Sequence, residues 1–441
     1  MVSVAALPHL TAVDHVKMQA RGAKATRSFS AIAYESFFTS RSLRRQPSAI
    51  RSLQPLVALP GMISLGGGMP NPTTFPFESM SIKLKSGQTM DLRGPTLQQA
   101  LQYSPTPGLP ELVQIISTRM EDEHEPPALS EPRMLSITTG SQDALYKAFE
   151  MLIDEDDSLL VETPTYSGTL AHLHAVNCNL VTVRTDGQGL VPEHLASILD
   201  NWDSIKKKPK VLYTIPTGGN PTGVSMSFER KQQVYAIASK HNLIVLEDDP
   251  YYYLTLNGAR SKSLLHLDVD GRVMRFDSYS KILSSGLRVG TVYGPKVLIE
   301  RLNLHTQSAN LHSSGLSQAV VLQLFKQWGE KGWNEHVEAV CMFYRGQRDA
   351  FLRALDKNLT GLATWEVPDA GMFVWIKLLG VDDSKALIEQ KAVASKVLLV
   401  PGQVFLPENV KTSYVRAAYS TATPEQMDLA LSRLAALLQD K

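Results

Sequence analysis

From Met62 onward the chain alternates two kinds of pattern. Short apolar runs of strand length, bounded by turn residues, give way to stretches whose apolar positions recur every three or four residues. "MLSITTG" is followed by "SQDALYKAFEMLI", where Ala144, Leu145, Ala148, Phe149 and Leu152 fall on one helical face. "SLLVETPTY", "NLVTVRTD", "KVLYTIPTGGNPTG", "LIVLEDDPYY", "RVMRFDSYSK" and "RVGTVYGP" read as further strands, and "RKQQVYAIASKHN" reads as a helix. Strand–helix alternation predicts an α/β fold, an open and mostly parallel central sheet flanked by helices. After Gly294 the pattern turns helical through a long element near residues 318–356. "ATWEVPDAGMFVWIKL", "VLLVPGQVF" and "SYVRAAYS" then predict strands of a smaller α+β unit, closed by the amphipathic "TPEQMDLALSRLAALLQ". The expected organisation is a leader over 1–45, an N-terminal arm over 46–85, a large domain over 86–330 and a small domain with its connecting helix over 331–441.

Composition changes this picture mainly at the N-terminus. Residues 1–45 carry seven Lys and Arg against Asp14 and Glu35, with six serines. That basic, acid-poor pattern suits a mitochondrial transit segment or a disordered cytosolic tail, so the matrix and the cytoplasm are both expected locations. Elsewhere charge is balanced. The net +1 implies no polyelectrolyte partner, and no basic stretch lies beside an aromatic platform, so nucleic-acid binding has no support. No apolar run is long enough for a membrane span. Two cysteines, Cys178 and Cys341, argue against a disulfide framework. The eleven histidines show no zinc spacing, the nearest pair being His172 and His174, and no metal is expected.

Candidate chemistry sits at predicted strand ends, where ligands gather in open α/β sheets. In "DSYSKILSSGLRVG", Lys281 follows a strand and stands among Ser278, Ser280 and Arg288. A lysine held away from water is more readily neutral, and a neutral amine forms Schiff bases. The hydroxyls and the guanidinium suit a phosphate. In "TTGSQ", Gly140 permits a turn and Ser141–Gln142 open a helix, whose free N–H groups attract anions. Read alone, Ser141 is an N-cap. The combination points to a phosphate-bearing aldehyde. Asp248, ending the "LIVLED" strand, would pair with a cationic ring nitrogen, the partner expected for pyridoxal phosphate. Tyr251 and Asn220 would reach the ring oxygen. Arg416, among small and apolar residues, needs an anion, and a substrate α-carboxylate or a structural acid would serve.

The ordered set Tyr103, Ser141, Gln142, Tyr166, Asn220, Asp248, Tyr251, Ser278, Lys281, Arg288 and Arg416 resembles the class I/II aminotransferases of pyridoxal-phosphate fold type I. "MISLGGGMPNPTTFPF", "PTYSGTL", "GGNPTG", "EDDPYYYL" and "AGMFVWIK" carry a closer likeness to the kynurenine/α-aminoadipate branch. The resemblance runs from about Ile50 to the C-terminus. It implies amino-group transfer from α-aminoadipate, kynurenine or a similar amino acid to 2-oxoglutarate by a ping-pong route. Lys281 would hold the cofactor as a Schiff base and shuttle the proton at substrate Cα. Asp248 would bind the ring nitrogen, Asn220 and Tyr251 the ring oxygen, and Tyr166 would stack on the ring. Ser141, Gln142, Ser278 and Arg288 would hold the phosphate. Tyr103 would arrive from the other subunit of a homodimer with shared sites. On the substrate side it implies Arg416 for the α-carboxylate, Gly68 in the lining and Arg51 for a side-chain carboxylate. A broad aromatic aminotransferase and a pyridoxal-phosphate β-lyase are the alternatives within the same fold.

Overall fold

A computed structural model describes residues 32–50, 53, 56, 59–66, 68–203 and 205–440. Its helices are α1 (Ser40–Leu43), α2 (Gly94–Leu101), α3 (Pro110–His124), α4 (Ser141–Leu152), α5 (Ser167–Val176), α6 (Pro192–Asp200), α7 (Phe228–Lys240), α8 (Lys296–Ala309), α9 (Gly315–Leu359), α10 (Ser384–Leu387) and α11 (Pro424–Gln439). Strands β1 (Ser79–Lys83) and β2 (Thr89–Arg93) form a separate antiparallel hairpin. The central sheet is built from β3 (Arg133–Thr138), β4 (Ser158–Thr163), β5 (Asn179–Asp186), β6 (Gly189–Leu190), β7 (Val211–Thr214), β8 (Ile244–Asp248), β9 (Val273–Ser278) and β10 (Gly290–Pro295). Its spatial order is β3-β10-β9-β8-β7-β4-β5-β6.

Strands β5, β4, β7, β8 and β9 run parallel, whereas β10 is antiparallel to both β9 and β3. Every residue of β7, β8 and β9 is buried, as a parallel sheet covered on both faces requires. The apolar face of α4 explains one cover. Ala144, Leu145, Ala148, Phe149 and Leu152 are all buried, and the helix packs on β3, β9 and β10.

The smaller sheet, β11 (Ala363–Trp365), β12 (Phe373–Leu378), β13 (Val400–Pro401) and β14 (Tyr414–Ala418), is antiparallel throughout, in the order β11-β12-β14-β13. "VLLVPGQVF" differs from its expectation. Only Val400–Pro401 is strand, and Gly402–Phe405 coils into a 3₁₀ turn whose Phe405 carbonyl accepts from Thr165 N at 2.8 Å. A contact from the large sheet thus overrides local β-propensity. Helix α9 is longer than expected and is broken at Gly329, where φ is +59°. It packs against α2 and α3 on one side and α11 on the other.

Composition assigns residues 34–45 to the leader, but the structure packs them. Phe37 and Phe38 are buried, and Thr39 N donates to Met151 O at 2.8 Å. Ser42 Oγ meets His305 Nε2 at 2.9 Å, and Arg301 donates to the Ser42 and Arg45 carbonyls. The basic charge of this stretch is spent on the fold, for example in the Arg41–Glu150 pair.

Candidate active site

Five strand ends and two strands of the smaller sheet meet at a cavity of about 380 Å³. The chain leaving β3 turns at Gly140 (φ +81°) and enters α4 at Ser141. Gly140 occupies the N-cap, so no side chain caps the first turn, and Ser141 is the first helical residue rather than a cap. A Cβ at Gly140 would fall on the Arg288 guanidinium. A Cβ at Gly290, on β10, would lie 2.5 Å from Ser141 N, which explains why this strand can press so close to the helix start. Arg288 Nη1 donates to Ser280 Oγ at 3.2 Å and Nη2 to Thr139 O at 3.3 Å, which aims the guanidinium across the α4 start. Uncapped amides, a helix dipole and a cation form an anion cradle.

Asp248 ends β8 and is buried. Its Oδ2 accepts from Tyr213 Oη at 2.7 Å, and its buried Oδ1 has no hydrogen-bond partner. Burial pushes its carboxyl up to about 7, and the neighbouring Asp249 and Asp277 act in the same direction. Lys281, three residues beyond β9, has its ammonium disfavoured by burial, then by the charges of Arg288 and Arg416. From β14, Arg416 Nη1 donates to Asn220 Oδ1 at 3.0 Å. Its guanidinium lies 4.2 Å from the Phe373 ring and 4.9 Å from the Phe405 ring, and its buried Nε has no partner. Burial raises the phenols of Tyr166 and Tyr251, so both stay neutral donors at physiological pH.

The cavity brings together Ser141, Gln142, Tyr166, Asn220, Asp248, Tyr251, Ser278, Lys281, Arg288 and Arg416. Three expected residues are not among its lining. Tyr103 is 47% exposed and packs edge-on to His312, Gly68 is exposed, and Arg51 lies outside the described residues. The sequence reading missed Phe373, Ser285 and Ser167, which also line the cavity, and Tyr213 beneath Asp248. It also missed Arg275, fully buried on β9, which bonds Asp277 and Asp249. An arginine inside the apolar run "VMRFD" was the available signal, since a buried cation demands acids. Size does not mark the site: a cavity of about 530 Å³ between the N-terminal segment and α8 holds none of the expected residues.

The residues present fit pyridoxal phosphate. The orphaned Asp248 Oδ1 suits a protonated ring nitrogen, the cradle at α4 suits a phosphate, and Lys281 offers an amine to the aldehyde. Sheet and site together define a pyridoxal-phosphate-dependent aminotransferase of fold type I. The chain belongs to the family described as aminotransferase class I and II, whose model matches residues 95–434. It is 45% identical to the mouse protein named kynurenine/alpha-aminoadipate aminotransferase, mitochondrial, over 92% of this chain and 99% of that one. Among solved structures it resembles aminotransferase Aro8 from Candida albicans, with a TM-score of 0.84 and 28% identity over 93% of this chain and 99% of that one. It also resembles the Pyrococcus horikoshii kynurenine aminotransferase, with a TM-score of 0.74 and 30% identity over 92% and 98% of the two chains. Among the described residues no helix is long and apolar enough to cross a membrane.

Proposed function

We propose that this aminotransferase moves the amino group of α-aminoadipate, kynurenine or a similar amino acid to 2-oxoglutarate. The observation that carries the reading is the convergence of Lys281 and Arg416 on one cavity: an amine with a disfavoured charge faces the space served by a guanidinium clamped between aromatic rings. The mouse relative's name supplies the substrate class.

When bound, the cofactor supplies a carbonyl that joins the amino group and a ring that withdraws electrons. The chain does the rest. Arg416 and Asn220 grip the α-carboxylate and so orient the Cα–H bond. Lys281, its ammonium disfavoured by burial, takes the proton from Cα and returns it during the second half of the cycle. Asp248 keeps a proton on the ring nitrogen, and Tyr213 fixes its carboxylate. Asn220 and Tyr251 would hold the ring oxygen of the bound cofactor, and Tyr166 would hold its ring. Ser141, Gln142, Ser278 and Arg288 hold the phosphate.

The assembly is a homodimer in which Tyr103 serves the partner's phosphate. Its exposure outside its own cavity supports this, as do Ile63 and Leu65, which are 86% and 98% exposed. Arg51 and Gly68 belong to the substrate side of that shared site. The matrix is the proposed location, on the mitochondrial name of the relative and the basic leader.

The test is the visible spectrum of the purified protein with one amino acid and no acceptor. Loss of the bound-cofactor band with α-aminoadipate or kynurenine supports the reading. A band unmoved by both, but lost with another amino acid such as methionine, rejects this donor class.

A further inference from the structure

We propose that Arg275, Asp249 and Asp277 form a positioning cluster whose excess of carboxyl groups keeps the proton on the ring nitrogen held by Asp248. The proposal rests on the reading of Asp248 given above.

The cluster is assembled by the parallel pairing of β8 and β9, which sets Glu247 opposite Arg275 and Asp248 opposite Phe276. Arg275 Nε and Nη2 reach the two oxygens of Asp277 at 3.1 and 2.8 Å. Nη1 reaches Asp249 at 2.9 Å and lies 3.4 Å from Glu247. None of these side chains is more than 4% exposed where an ion pair joins them. Three carboxylates therefore share one guanidinium. The other buried cation nearby, Lys231 of α7, faces Asp249 and Glu247 while its Nζ is held by Ser261 Oγ and Lys262 O. Two basic groups against three carboxyl groups leave the cluster acid-rich before Asp248 is added, and burial raises the Asp277 carboxyl to about 7 and the Glu247 carboxyl in the same direction, so the excess charge develops as pH rises through the neutral range. From the remaining elements, Glu162 of β4 faces Asp248, and so do the phenols of Tyr213, Tyr166 and Tyr251. The cations on the ligand side are Lys281, Arg288 and Arg416, which line the same cavity.

A cluster that served only to tie two strands would be expected to match its charges, because each unpaired buried carboxylate costs stability. This one carries more carboxyl groups than basic ones. Asp249 Oδ1 is buried without a partner, as is Asp248 Oδ1. Of all these acids, Asp248 alone lines the cavity. The excess is thus felt by a ligand through Asp248. A protonated ring nitrogen docking there is stabilised by the acids behind it, so a higher pH is needed to remove its proton.

The experiment is ¹⁵N NMR of the holoenzyme carrying pyridoxal phosphate labelled at the ring nitrogen, titrated with base. In the parent the resonance stays at its protonated position into the alkaline range. Asp277→Asn lowers the midpoint by about one pH unit or more, and Asp249→Asn shifts it the same way. Asp277→Glu restores it. Thermal melts of the same samples identify a variant that has lost its fold, in which case Asp249→Asn decides alone. An unchanged midpoint in the folded Asn variants, with Asp248→Asn still lowering it, overturns the cluster's role and leaves Asp248 in place. An unchanged midpoint in Asp248→Asn overturns the reading of Asp248 and the cluster proposal with it.

Discussion

The two sheets serve the same cavity in opposite ways. The eight-stranded sheet contributes many side chains from its strand ends, and behind them lies a buried layer of acids, phenols and Arg275. The four-stranded sheet contributes one cation, Arg416, set against rings rather than acids. An arginine paired with acids, like Arg275, has its charge satisfied within the fold. Arg416, stacked on Phe373 and Phe405, is the arginine proposed to keep its charge for an incoming carboxylate. On the proposed roles, the large sheet holds a permanent guest and the small sheet a transient one.

The largest effect should come from the large-sheet side. Lys281→Ala removes the group proposed to move the Cα proton, and turnover should fall by about 10⁴-fold, the upper range for a positioned acid–base group. Steady-state assays with α-aminoadipate or kynurenine check this. Near-parent activity would detach the chemistry from the end of β9. A smaller effect is expected on the small-sheet side. Arg416→Lys keeps the charge but loses the planar fork, at about 1.5–3 kcal/mol, or roughly 10–150-fold. The loss should fall mainly on KM for the amino acid, while cofactor retention stays at the parent level. A variant that sheds cofactor instead would place Arg416 with the permanent guest.

How far the sequence revealed this division follows from the range of each interaction. Lys281, Asp248, Ser141 and Asn220 sit just past strands, and strand–turn punctuation is a local signal. Their order along the chain therefore pointed to the one cavity that all four line. The clamp on Arg416 was hidden because Phe373 and Phe405 come from a neighbouring strand and a 3₁₀ turn, joined to it only by tertiary packing. Tyr213 was hidden for a related reason: it sits mid-strand in an apolar run, and only the pairing of β7 with β8 turns its hydroxyl toward Asp248. The packing of residues 34–45 against α4 and α8 was masked by composition, since basic residues and serines suit a leader as well as they suit salt bridges and caps.

The smallest expected effect tests whether the permanent guest is held by one chain or two. Tyr103→Phe removes one hydroxyl proposed to reach the partner's phosphate, and cofactor affinity should fall by up to about tenfold, the range of a single hydrogen bond. Equilibrium dialysis measures that loss but does not say which chain supplied the hydroxyl. Mixed dimers do. In a dimer of one Lys281→Ala chain and one Tyr103→Phe chain, a hydroxyl donated across the interface places both lesions in one site and leaves the other intact. Half the sites should then bind cofactor with parent affinity and turn over substrate at the parent rate. A hydroxyl donated within its own chain leaves one lesion in each site, and no parent-like site forms. Restoration of parent affinity in half the sites on mixing would show that the large sheet's grip on its guest is completed by a second chain. Its absence would confine that grip to the strand ends of one.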